Sequence, residues 1–264
     1  MIRNDQNETR PSATVSSQLS VAQAAVMQIL PGLLSLPVFA VIAFTLSQNG
    51  VPNIYALGIA ILLIEVPVTW AIIIWRVRNE SDGGFSAAKA FPWHASIPWW
   101  QYLVIGLPII LFSMIMIAGI GPRIAGIILN SVFTWVPDWF VMRPDPAIFS
   151  SLSKEMLLAL WVLILVAMVL VGGFTQELFA RGFLLPRTEH LGRWAPALNA
   201  LFFAILHTIA PWDWVGFFLM TLPWAYLVWW RRSVKIGLFI HVGMLALQWL
   251  GLTMVVFGLV PAPS

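Results

Sequence analysis

The chain has 264 residues, of which 60% are hydrophobic and only 9% charged, where a soluble domain carries about 25% charged residues. This composition excludes an ordinary water-soluble globule, and the lack of cysteine excludes disulfide staples, thiolate metal sites and a cysteine nucleophile. The net charge of +3 does not point to nucleic acid, because the basic residues flank apolar spans, where membrane topology accounts for them.

Residues 1–20 read as a flexible polar tail in which Arg3 and Arg10 are offset by Asp5 and Glu8. The apolar run that follows is too long for a signal-peptide core, so the first helix is expected to remain uncleaved. No charge lies between Arg10 and Glu65, between Lys89 and Arg123, or after Lys235. Each interval exceeds the roughly 20 apolar residues that cross a hydrocarbon core. Helices are predicted at 26–47, 54–75, 100–120, 156–183, 195–210, 214–230 and 236–258. The stretch from Arg123 to Lys154 mixes Ile127, Ile128 and Leu129 with Trp135, Trp139 and several prolines. It reads as a Pro/Trp-rich connection, with an interfacial or re-entrant helix, or an eighth span, as alternatives. The fold class is therefore all-α: a polytopic transmembrane helix bundle of about seven spans. Residues 21–154 form an N-terminal group of helices, and 155–260 a core that carries the motifs below.

Orientation follows from counting basic residues at the span ends. With seven spans and a cytoplasmic N-terminus, the cytoplasmic side holds Arg3, Arg10, Arg76, Arg78, Lys89, Arg181, Arg187, Arg193, Arg231, Arg232 and Lys235, and only Arg123, Arg143 and Lys154 fall outside. An eighth span would spoil this alternation. The chain holds 15 tryptophans, and pairs such as Trp99-Trp100, Trp135 with Trp139, Trp212 with Trp214, and Trp229-Trp230 fall near predicted span ends, as in interfacial belts.

Ionisable groups inside spans are expensive and mark candidate sites. Here they are Glu65, Glu177, Arg181, His207 and His241. Glu177 and Arg181 stand i,i+4 and can pair directly. His241 lies about five residues, roughly 8 Å, from the cytoplasmic start of the last helix, and His207 about twelve residues, roughly 18 Å, from that of the fifth. Glu177, His207 and His241 can therefore converge in the cytoplasmic half. Two imidazoles and a carboxylate on three helices form a candidate zinc site, since His2Glu is a catalytic zinc set with an open position for water. Glu65 stands apart, as a neutral carboxyl or one bonded to a backbone group freed near Pro67.

Glu177 to Arg181 followed by Gly182, then Phe203-x-x-x-His207, then His241 on a helix after the basic turn at Arg231 and Arg232, resemble the three motifs of the CPBP intramembrane proteases. That family includes the CAAX prenyl proteases and bacterial bacteriocin-processing proteases, and the resemblance runs from about Gly172 to Leu247. It implies a membrane endopeptidase, of metalloprotease or glutamate type, that hydrolyses peptide bonds near the cytoplasmic face of a bacterial plasma membrane. The expected catalytic set is Glu177, His207 and His241 with Gln176 at the base position and Arg181 as partner of Glu177. His207, His241 and Glu177 are the candidate metal ligands, and zinc is the candidate cofactor. Membrane lipid and a peptide or membrane-protein substrate or client are the expected partners.

Two positions depart from the family pattern. Its first motif begins Glu-Glu, and the first Glu is taken as the base that activates water; position 176 is Gln here. An amide cannot take that proton, and a positioned general base typically contributes 10²–10⁴-fold. Four residues after the third-motif His the family has Asn or Asp, where this chain has Leu245. Three accounts stay open: Glu177 takes over, although it lies roughly 100° around the helix from Gln176; the chain is a non-catalytic relative that binds membrane peptides; or Glu65 or another group enters the site. A transporter is disfavoured, because only Glu65 continues the polar residues into the outer half.

Overall fold

A computed structural model describes residues 17–80, 84–142 and 152–259. The expectations for the tail up to residue 16, and for residues 143–151 of the connection, lie outside the described residues. Among the described residues seven helices of more than ten residues follow one another: α1 (Val21–Ser47), α2 (Ile54–Glu80), α3 (Trp99–Ser131), α4 (Lys154–Arg187), α5 (Trp194–Leu206), α6 (Trp214–Arg231) and α7 (Val234–Val256). The protein is an all-α bundle, and five of these helices (α1 to α4 and α7) are long and apolar enough to cross a membrane. The 13 residues of α5 reach only about 20 Å and the 18 of α6 about 27 Å at 1.5 Å per residue.

Local chemistry sets several boundaries. Ser20 caps α1 reciprocally with Gln23, each side chain bonding the other's backbone N–H. Pro31 and Pro37 of α1 and Pro223 of α6 stand within regular α-helix, whereas in α2, α3 and α4 a wider turn precedes the proline. The π turns Ile61–Glu65, Tyr102–Gly106, Met116–Ile120 and Leu178–Leu184 end two residues before Pro67, Pro108, Pro122 and Pro186. In the first three, the N–H of Val66, Leu107 and Gly121 bonds five residues back, to the carbonyls of Ile61, Tyr102 and Met116. A proline ring would collide with the carbonyl four residues before it, and the extra residue in the turn moves that carbonyl aside. This corrects the predicted end of the third helix at 120. Pro122 is absorbed, α3 continues to Ser131, and Arg123 lies on helix rather than in a connection.

The other correction concerns α5, which stops at Leu206 instead of 210. Its C-terminus presses on α1 so closely that a Cβ on Gly32 would lie 1.8 Å from the Leu206 carbonyl oxygen. His207 then leaves helical geometry (φ −77°, ψ 59°). Trp214 Nε1 donates to the His207 carbonyl, freed by the break, at 3.1 Å, and Thr208 Oγ1 ties the turn to α1 by donating to the Gly32 carbonyl at 2.7 Å. Residues 132–142 fold back over this turn without forming a further helix. Phe133 meets Trp212 edge-on, Phe140 meets Phe39, and Asn53 Nδ2 donates to the Trp139 and Val141 carbonyls. Trp212, assigned above to an interfacial belt, is buried beneath them, whereas Trp99, Trp100, Trp135 and Trp230 are exposed.

The starts of α1, α3, α5 and α7 and the ends of α2, α4 and α6 gather at one end of the bundle. Arg187 joins Glu80 at 2.9 Å, Glu80 also holds Arg76 at 2.9 Å, the Leu19 N–H donates to the Arg187 carbonyl, and the Val234 N–H to that of Trp93. Arg232 pairs with Glu189 across the turns that flank α5 and α6. Inside, Gln28 of α1 and Asn199 of α5 bond each other, and Asn199 Nδ2 also reaches the Ala180 carbonyl of α4 at 2.8 Å. Buried amides thus fix the register of three helices around the site.

Candidate active site

Glu177 and Arg181 lie one turn apart on α4, both with fully buried side chains. Glu177 Oε2 is 3.4 Å from Arg181 Nη1 and 3.4 Å from His241 Nδ1. The second distance is too long for a close hydrogen bond, yet the carboxylate still faces that edge of the ring and favours a proton on Nδ1. The Arg181 guanidinium lies 4.0 Å from the Phe203 ring centre and 4.6 Å from that of Trp224, an arrangement that stabilises a desolvated cation by about 2 kcal/mol or more. Glu177 Oε1 sits where a Cβ on Gly237 would come within 2.1 Å, so only glycine lets α7 close over the carboxylate. Glu177 Oε1 and Arg181 Nε and Nη2 have no hydrogen-bond partner among the described residues. The pair is a packed internal strut, not a group open to substrate.

A cavity of about 320 Å³ opens on the other side of α4, lined by Gln176, His207, His241, Leu245, Gln248 and, from α2, Glu65. Neither Glu177 nor Arg181 lines it. His207 Nδ1 is 2.9 Å from the Phe203 carbonyl, an acceptor, so Nδ1 carries the proton and Nε2 keeps its lone pair. His241 Nδ1 has no hydrogen-bond partner among the described residues, and the facing Glu177 carboxylate favours the same tautomer there. The rings are held by aromatic contacts: Phe203 meets both edge-on, Phe217 lies 4.4 Å from His207, and Trp224 lies 5.0 Å from His241. Two lone-pair nitrogens can accept hydrogen bonds from a water molecule and orient it.

The structure therefore brings together Gln176, His207 and His241 and sets Glu177 and Arg181 behind them. The expected His207, His241 and Glu177 zinc set does not fit, because Glu177 is turned to Arg181 and walled in by Gly237. Among the described residues no group of three or more His, Cys, Asp or Glu side chains is placed to hold a metal ion.

Glu65, set apart by sequence position, is a neighbour: Gln176 Nε2 donates to Glu65 Oε1 at 2.5 Å. Four further polar residues on the cavity wall, Ser35, Thr208, Asp213 and Gln248, were not singled out by sequence reasoning. Gln248 stands seven residues, two helical turns, past His241, on the same face as Leu245, and its Nε2 is buried without a partner. A glutamine within the uncharged run of α7 was the available signal. Asp213 and Thr208 enter from the turn after α5, which sequence reasoning had placed partly inside a longer helix. A second cavity of about 430 Å³, between α3 and α6, shares Ile117, Met142, Asp213, Phe217 and Met220 with the first.

Residues 158–247 match the family described as type II CAAX prenyl endopeptidase Rce1-like. No curated protein and no solved structure matches the chain. The match covers about a third of the sequence and contains the three motifs, whereas Glu65 and Gln248 lie outside it. With its apolar helices the chain is an integral membrane protein, and the match over its motif-bearing segment supports a CAAX-type intramembrane-endopeptidase-like fold and a relationship to the CPBP proteases.

Proposed function

We propose that the protein is an intramembrane endopeptidase of a bacterial plasma membrane, cutting a peptide bond of a membrane-embedded substrate from the cytoplasmic side. One observation carries the reading: three helices deliver Gln176, His207 and His241 to a single cavity, with the His207 imidazole held in the tautomer that presents Nε2 and the His241 ring facing the Glu177 carboxylate. His207 and His241 accept hydrogen bonds from the attacking water and fix it near the scissile carbonyl. Glu177 and Arg181 act as positioning residues, through the orientation of His241 and the packing of Phe203 and Trp224. The amide of Gln248 is a donor available to the substrate carbonyl, two turns along α7 from His241, in place of the side chain that Leu245 lacks. The adjoining apolar cavity gives a flexible hydrocarbon or peptide segment access to the site. The prenyl substrates in the family's description stand behind no feature of this cavity beyond that apolar wall.

A second reading, a non-catalytic binder of membrane peptides, is favoured by Gln176 and Leu245 at positions where the family carries polar catalytic groups. The two are separated by reconstituting the protein in phosphatidylethanolamine and phosphatidylglycerol vesicles with pooled single-span peptides in heavy-oxygen water. Mass spectrometry then reads new C-termini that carry the label. Labelled products from wild type that vanish in His207→Ala support the endopeptidase. Products only from Gln176→Glu establish the binder.

A further inference from the structure

Hydrolysis at this cavity needs a group that takes a proton from water, and Gln176 cannot supply it. Both imidazoles can present an Nε2 lone pair to the water; the His207 ring is held through Nδ1 by the Phe203 carbonyl, whereas His241 Nδ1 has no hydrogen-bond partner among the described residues. Two carboxylates line the cavity, Glu65 and Asp213. Asp213 sits at the start of α6, where the two cavities meet, and bonds to none of the motif residues. Glu65 is bonded to the first-motif side chain itself: its Oε1 accepts from Gln176 Nε2, and its Oε2 accepts no hydrogen bond among the described residues. The carboxylate is also fixed from behind. It is the last residue of the π turn Ile61–Glu65, which Pro67 keeps open, and it is 8% exposed.

We infer that Glu65 of α2 is the general base of this enzyme, with Gln176 as the donor that holds it. The inference rests on the endopeptidase reading above. The carboxylate stands one hydrogen bond away from the first-motif position, on a neighbouring helix. In the reaction Glu65 Oε2 takes a proton from the water while the water oxygen bonds to the carbonyl carbon, whose π electrons move to oxygen. When the tetrahedral intermediate collapses, the C–N bond breaks and the leaving nitrogen takes the proton from Glu65. A carboxyl product and an amine leave, and Glu65 is again a carboxylate. Gln176 donates throughout to Oε1, which leaves Oε2 as the oxygen that exchanges the proton.

The test uses the vesicle assay with wild type, Glu65→Gln, Glu65→Asp and the exchange Glu65→Gln/Gln176→Glu, each shown to be folded by size exclusion and thermal midpoint. The exchange keeps one carboxylate and one amide in the same bonded pair and returns the carboxylate to α4. Expected are a 10²–10⁴-fold loss in labelled product for Glu65→Gln, the effect typical of a missing general base, an intermediate loss for Glu65→Asp, and recovery of at least tenfold over Glu65→Gln in the exchange. An active wild type with Glu65→Gln within threefold of it overturns the role of Glu65 and leaves the endopeptidase standing. So does a Glu65→Gln loss that the exchange fails to recover, because the effect is then structural. A wild type without turnover, with or without activity in Gln176→Glu, overturns both.

Discussion

Replacing Arg181 by methionine tests the strut role of the Glu177–Arg181 pair. The substitution keeps an unbranched side chain between Phe203 and Trp224 but removes the cation, leaving the Glu177 carboxylate fully buried with only a 3.4 Å contact to His241. Removing one partner of a buried ion pair destabilises by about 3–5 kcal/mol, and the lost contact with two rings adds about 1–2 kcal/mol. Soluble proteins of 150–250 residues shift about 2–4 °C per kcal/mol, so Arg181→Met should lower the thermal midpoint in detergent by roughly 10 °C or more. Glu177→Gln alone strands the guanidinium and should fall by a comparable amount. The double variant buries no charge, and its loss should be smaller than the sum of the two by about 2 kcal/mol or more. Midpoints read by fluorescence-detected size exclusion after heating decide the matter. An Arg181→Met midpoint equal to wild type, or a double variant as unstable as the summed singles, refutes the strut.

Three further predictions follow from the geometry. Gly32→Ala sets a Cβ 1.8 Å from the Leu206 carbonyl, a backbone atom that cannot turn away; we expect a loss near 3 kcal/mol, the upper range for overpacking, together with loss of cleavage, because His207 follows Leu206 directly, and an unchanged midpoint refutes the close approach. Gln248→Leu should raise KM or lower kcat about tenfold while stability stays the same or rises, since the substitution removes a buried unpartnered amide nitrogen; unchanged kinetics remove Gln248 from substrate binding. Arg187→Met should destabilise by about 3 kcal/mol or more, because Arg187 bonds Glu80 and the Lys89, Ala90 and Phe183 carbonyls at one end of the bundle; a neutral midpoint refutes that role.

The sequence made the helices legible because apolar runs interrupted by charge map directly onto spans. Helix rise led to the expectation that Glu177, His207 and His241 converge, and the family resemblance added Gln176; it is Gln176 rather than Glu177 that lines the cavity with the two histidines. The place of Glu65 was not legible. Its partner is 111 residues away, and one-dimensional distance placed it alone in the outer half. The side of α4 on which Glu177 lies was implied by its roughly 100° offset from Gln176, but only the Gly237 contact shows that it is sealed off. The length of α3 was misjudged because Pro122 and Arg123 carry the ordinary signals of a helix end, and a wider turn cancels the first. The early stop of α5 depends on a contact with α1 that no local pattern encodes.

The wider turn before Pro67 counts as one surplus residue in the helical repeat, so α2 carries two angular phases joined at Glu65. Residues before it face the bundle on one schedule and residues after Pro67 on another. Deleting a single residue among 61–64 would merge the phases and swing the earlier half of α2 by about 100° relative to Gln176. A one-codon deletion there would thus rewire the cavity wall while leaving hydropathy and length almost unaltered. Variation in this part of the chain is better compared by angular phase than by residue identity.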